Sequence, residues 1–147
     1  QLEDPSYKIR YDDSGKPFIN SDLNISISHS KSMAAIVFSG HNKAGIDIEL
    51  KENKIINIQN KFLNDSEKQE NEYQSNVDYL TMIWTAKESI YKALGIKGVS
   101  FYDNIIIKNI NKNKGHGYYI NGKEKYKFDL IFFSIEEYII CYAQSNN

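Results

Sequence analysis

Apolar and polar residues alternate along much of this chain and shift to helical spacing only in its middle. In Ala44–Leu50, Ile46, Ile48 and Leu50 alternate with Asp47 and Glu49. A period of two predicts a strand with both carboxylates on one face and the isoleucines on the other. Asn24-Ile25-Ser26-Ile27-Ser28 alternates in the same way, and residues 33–38 form a further strand candidate. Ser39-Gly40-His41-Asn42 reads as a turn that joins 33–38 to Ala44–Leu50 as a hairpin. The first 23 residues are polar and broken by Pro5, Gly15 and Pro17. They allow a short extended piece around Tyr7–Tyr11 and a turn at Asp13-Ser14-Gly15.

The middle is helical. Ile55, Ile58 and Phe62 recur at helical spacing, and Asn64 followed by Glu67 has the form of a cap with an acid three residues on. Ser75 followed by Asp78 repeats that form and opens the longest helix, Val77–Leu94, which Gly95 stops. At about 100° per residue, Leu80, Ile83, Trp84, Ile90, Tyr91 and Leu94 gather on one side. Lys87 falls near the middle of that stripe, with Glu88 and Lys92 on its flank. After Gly98 the strand pattern returns at 101–109, 118–120, 125–134 and 138–144, with turns at Asn121-Gly122 and Glu136-Glu137. The expected fold is α+β, an antiparallel sheet packed against the long helix.

Composition narrows the class. A chain of 147 residues is one domain, or two small lobes sharing a core. It is 41% hydrophobic and 25% charged, a globular balance. A net charge of −1 with no basic block gives no electrostatic case for nucleic acid. No apolar run approaches the ~18 residues of a membrane span. Cys141 is the single cysteine, which rules out an internal disulfide and fits a reducing compartment. A cytoplasmic, soluble protein is expected. One cysteine and scattered histidines argue against zinc.

Three stretches carry chemistry. Asp47 and Glu49 on a strand with Glu88 on a helix suit one hard cation, and Lys87 and Lys92 beside them suit phosphate. Alone, each stretch has a plainer reading. The strand acids fit a solvated face, Lys87 fits a snorkelling lysine beside a Glu88–Lys92 surface pair, and Ser28-His29-Ser30 fits a polar strand end.

Together the stretches are specific. Gly15-Lys16-Pro17, Ser28-His29-Ser30, Gly45-Ile46-Asp47-Ile48-Glu49 and Trp84-Thr85-Ala86-Lys87-Glu88-Ser89-Ile90-Tyr91-Lys92 occur in one order. The chain thereby resembles the 4'-phosphopantetheinyl transferases, most closely the larger surfactin-synthetase-activating (Sfp) type. The resemblance runs from about residue 14 to the C-terminus and covers the later part of that two-lobed family.

The resemblance implies a transferase that moves the phosphopantetheine arm of coenzyme A to a serine of an acyl or peptidyl carrier protein. The other product would be adenosine 3',5'-bisphosphate. By similarity, Asp47, Glu49 and Glu88 would bind magnesium, and Lys87 and Lys92 would contact coenzyme A phosphates. Lys16, Pro17, Ser28 and His29 would line the nucleotide end, with His29 near the 3'-phosphate. Glu88 is the first candidate for the base, acting directly or through water, and Glu67 is the second. Residues 1–23 would be a leader continuing from a missing or reduced first lobe, and 24–147 the transferase domain. The expected partners are a carrier protein and coenzyme A, with no nucleic acid, no membrane and a possible homodimer. The rival functions are a non-catalytic carrier-binding relic and a metal-dependent phosphohydrolase.

Overall fold

The computed structural model describes residues 8–13, 15–19, 22–40, 42–69 and 76–146. Tyr7, Ser14, His41 and the expected cap at Ser75 lie outside them. Nine strands form two antiparallel sheets among the described residues. The first contains β1 (Arg10–Tyr11), β2 (Pro17–Phe18), β3 (Asn24–Ser30) and β4 (Met33–Ser39) in that spatial order. The second contains β5 (Ala44–Leu50), β6 (Ile105–Asn111), β7 (Lys114–Asn121), β8 (Glu124–Ile135) and β9 (Tyr138–Ser145), in the order β5-β9-β8-β7-β6. The helices are α1 (Lys54–Ile58), α2 (Asp65–Gln69) and α3 (Val77–Leu94).

α3 lies across the second sheet, chiefly over β5 and β9. Its Leu80, Ile83, Ala86 and Ile90 are fully buried against strand residues such as Ile105, Phe128 and Cys141. Thr81, Thr85 and Ser89 are buried too. Their hydroxyls donate back to the carbonyls of Val77, Thr81 and Thr85, and Ser89 Oγ also lies 2.8 Å from the Cys141 carbonyl of β9. Asn76 caps the start by accepting the Tyr79 amide, and Gly95 ends the helix at φ 63°. Asn64 and Glu67 form the expected reciprocal cap: Asn64 Oδ1 accepts the Glu67 amide, and Glu67 Oε2 accepts the Asn64 amide.

Two expectations are corrected. Residues 33–38 do not form a hairpin with Ala44–Leu50. β4 pairs with β3, because the chain reverses at Lys31-Ser32 with Lys31 at φ 52°. β5 instead pairs with β9, from Ala44↔Gln144 to Leu50↔Tyr138. The strand expected from residue 101 begins only at Ile105. Before it, the Ser100 and Asn104 side chains accept the amides of Asp103 and Ser100, holding the backbone in a turn.

The two sheets meet at the free edge of β5. The amides of Ile46, Ile48 and Leu50 point away from β9 and donate to the hydroxyls of Ser26, Ser28 and Ser30 on β3. Side chains here do what a strand's carbonyls would otherwise do, and the edge is closed. Among the described residues, no helix is long and apolar enough to cross a membrane.

Candidate active site

Asp47 and Glu49 share a face of β5 with Gly45, and that face is covered by α3. The approach at Gly45 is close: a Cβ there would collide with the Ser89 carbonyl and lie 2.7 Å from the Ala93 amide nitrogen. The reading of a solvated acidic face is therefore corrected, since Asp47 is only 3% exposed. Its Oδ1 accepts from Lys92 Nζ at 2.8 Å and from Ser28 Oγ at 2.7 Å. Glu49 accepts from the Trp84 indole at 3.2 Å and from Ser30 Oγ at 3.4 Å.

Asp47 Oδ2 is buried with no hydrogen-bond partner. A buried carboxylate oxygen left unpaired is costly and calls for a cation or donor. Its neighbours feel the same field. The Glu88 carboxyl is pushed up to about 7, by burial first and then by Asp47, with Lys92 opposing and Glu49 adding. Burial and then Asp47 also raise Glu49, against the hydrogen bonds from Trp84 and Ser30. Among the described residues, no three acids, imidazoles or thiols already stand as a metal cluster. The all-oxygen donor set and the orphaned oxygen fit a hard divalent ion such as magnesium.

Lys92 also lines a cavity of about 240 Å3, together with Gly15, Lys16, Pro17, Tyr91 and Lys97. The Gly-Lys-Pro segment thus lies beside the end of α3. Lys16 crosses Gly95 so closely that a Cβ there would come 2.9 Å from its Nζ. The flexible end of Lys16 could move aside, so it is the positive φ that favours glycine at this position. Lys97 donates to the Asp13 carbonyl and holds the segment before Gly15 to the same place. His29 is exposed, on the face of β3 that also carries Ile25 and Ile27, two residues that line the cavity. The Ser28 hydroxyl, expected at the nucleotide end, lies against Asp47.

Lys87 and Glu67 do something other than expected. Lys87 Nζ is fully buried and donates to Glu67 Oε2 and to the carbonyls of Phe62, Phe101 and Ile105, at 2.6–2.8 Å. An ammonium has three N–H groups, and here four oxygens surround it. Burial lowers its pKa, while the Glu67 carboxylate acts to raise it. This geometry offers no donor to a phosphate, and the amine does not snorkel. Glu67 is also buried, and its Oε1 accepts the Ile107 amide at 2.7 Å. A carboxylate so enclosed has no path to a carrier serine. The expected phosphate contact and second base thus become a clamp joining α3, α2 and β6.

Some site residues escaped the sequence reading. Trp84 and Ser30 hold Glu49, Lys97 holds the Asp13 carbonyl, and Tyr91 lines the cavity. The usable signal was the alternation of Ser26, Ser28 and Ser30 in step with Ile46, Ile48 and Leu50.

Residues 43–143 match the 4'-phosphopantetheinyl transferase superfamily. The match covers more than half of the chain, and the chain belongs to that superfamily. It is also similar to a 4'-phosphopantetheinyl transferase, gsp, of Aneurinibacillus migulanus. The two are 36% identical over 89 residues, which is 58% of this chain and 37% of that relative. The chain therefore matches well under half of the relative's length.

Proposed function

We propose that this chain transfers the 4'-phosphopantetheine arm of coenzyme A to a serine of an acyl or peptidyl carrier protein, releasing adenosine 3',5'-bisphosphate. The observation that carries this reading is the buried, unpartnered Asp47 Oδ2, with Glu49 and Glu88 in its field. In this reading residues 24–147 form the transferase lobe, and the leader contributes Lys16 and Pro17 to the nucleotide end, with His29 nearby.

In the reaction the serine Oγ bonds to the phosphorus that carries the pantetheine arm. The pyrophosphate P–O bond breaks, and its electron pair leaves with the adenosine bisphosphate. Asp47, Glu49 and Glu88 would hold magnesium, which supplies Lewis-acid stabilisation of the pyrophosphate charge. Lys92 keeps one N–H on Asp47 and lines the cavity, where its remaining donors would meet the substrate phosphates. The serine proton goes to Glu88, directly or through a water. Mass spectrometry of apo carrier proteins incubated with the chain, coenzyme A and magnesium tests the reading. A phosphopantetheine adduct on serine is expected. Coenzyme A cleavage without carrier modification, or binding without turnover, would replace the transferase with the hydrolase or the relic.

A further inference from the structure

We infer that the alternate serines of β3 are an aiming device for the acids of β5, and that Ser28 is the positioning residue that leaves Asp47 Oδ2 free for the cation. The inference rests on the transferase reading of the site. Ser26, Ser28 and Ser30 each accept one edge amide of β5, at 3.1, 3.3 and 3.3 Å. A hydroxyl that accepts an amide still has its own proton to give. Ser28 gives it to Asp47 Oδ1 at 2.7 Å, and Ser30 to Glu49 Oε2 at 3.4 Å. In each case the acid precedes the residue whose amide the serine accepts. At the matching place for Ser26 stands Gly45, which has no side chain. The ladder therefore contains its own control: Ser26 closes the edge without touching an acid.

The effect on Asp47 follows from which oxygen is engaged. Ser28 and Lys92 both donate to Oδ1 and neither to Oδ2. Two donors from two directions fix the carboxylate's rotation and leave the second oxygen unpaired. With Ser28 removed, Lys92 alone holds the group, and either oxygen can turn to the ammonium. Partners that orient a metal's ligands commonly carry a ten- to hundredfold share of metal affinity. Ser28 sits behind the ligand and touches neither cation nor substrate. It differs in this from a nucleotide contact, whose loss would weaken coenzyme A with or without metal.

The test is calorimetric titration of magnesium into the full chain without coenzyme A, for the parent, Ser26→Ala, Ser28→Ala and Ser28→Thr. Thermal melts and metal-free coenzyme A titrations accompany it. Both alanine variants should melt lower, since each orphans one edge amide. Only Ser28→Ala should weaken magnesium, by about tenfold or more. Ser28→Thr, which keeps the hydroxyl, should restore it, and metal-free coenzyme A affinity should stay at the parent's value. Should Ser28→Ala fail to fold, Ser28→Cys, a weaker donor, takes its place with the same expected order. Equal magnesium affinity in Ser28→Ala and parent would overturn the inference alone. So would an equal loss in Ser26→Ala, or a loss of metal-free coenzyme A binding in Ser28→Ala. A parent that binds no magnesium would overturn the transferase reading, and the inference with it.

Discussion

Lys87 Nζ lies 2.7 Å from Glu67 Oε2, and the two side chains are 0% and 1% exposed. Removing one partner of such a pair leaves the other as an uncompensated buried charge, at a cost of about 3–5 kcal/mol. Lys87→Met and Glu67→Gln should each lower the urea midpoint strongly. The effect reaches the site indirectly, because Lys87 fixes Phe62 and Phe101, whose rings pack on Trp84, and Trp84 holds Glu49. Unchanged stability with lost coenzyme A affinity in Lys87→Met would restore its phosphate role.

The contact at Gly45 makes a second prediction. A methyl group there meets backbone on α3, which has no rotamer to yield. Gly45→Ala should push α3 off β5, carrying Glu88 and Lys92 away from Asp47. Stability should fall by about 1–3 kcal/mol, as overpacking does, and magnesium affinity should fall with it. A variant with parental midpoint and affinity would show that the sheet and helix give way freely.

Glu88 sets a pH dependence. Its folded pKa, about 7, lies above the ordinary 4.5, so the metal-free fold holds a proton that the unfolded chain releases. Between those values the unfolded state binds fewer protons, and stability declines as pH rises. Magnesium reverses the preference by favouring the carboxylate, so binding near pH 6 should expel a proton and tighten as pH rises past 7. Titration in buffers of different ionisation enthalpy measures that proton. No release in the parent, or the same release in Glu88→Gln, would remove Glu88 from the ligand set.

Ile36 and Phe38 are 51% and 55% exposed on β4, an edge strand of the first sheet. Such surfaces favour association. Light scattering over a concentration series should show a dimer. A strict monomer with tight coenzyme A binding would contradict this.

The parts of this structure that were legible in the sequence are those set by local spacing. The Asn64–Glu67 cap, the span of α3 and its stop at Gly95 all follow from neighbours within a turn or two. Pairing across long stretches was not legible. Alternation in 44–50 separates two faces but names neither the buried one nor the partner strand, and both faces proved covered: Asp47 is 3% and Ile48 1% exposed. For Lys87, its place in an apolar stripe announced that an anion or an escape was needed. A phosphate and a buried glutamate satisfy that requirement equally, and only the packing of α2 against β6 decides between them.

In the proposed function Asp47 holds the cation through which coenzyme A is bound. Calorimetric titration of coenzyme A into parent and Asp47→Asn, with and without magnesium, decides this. Asn keeps the shape and the Ser28 contact but removes the charge that a hard cation needs. Magnesium should tighten coenzyme A binding in the parent by at least about tenfold and have little effect in Asp47→Asn. The same magnesium enhancement in both proteins would contradict it.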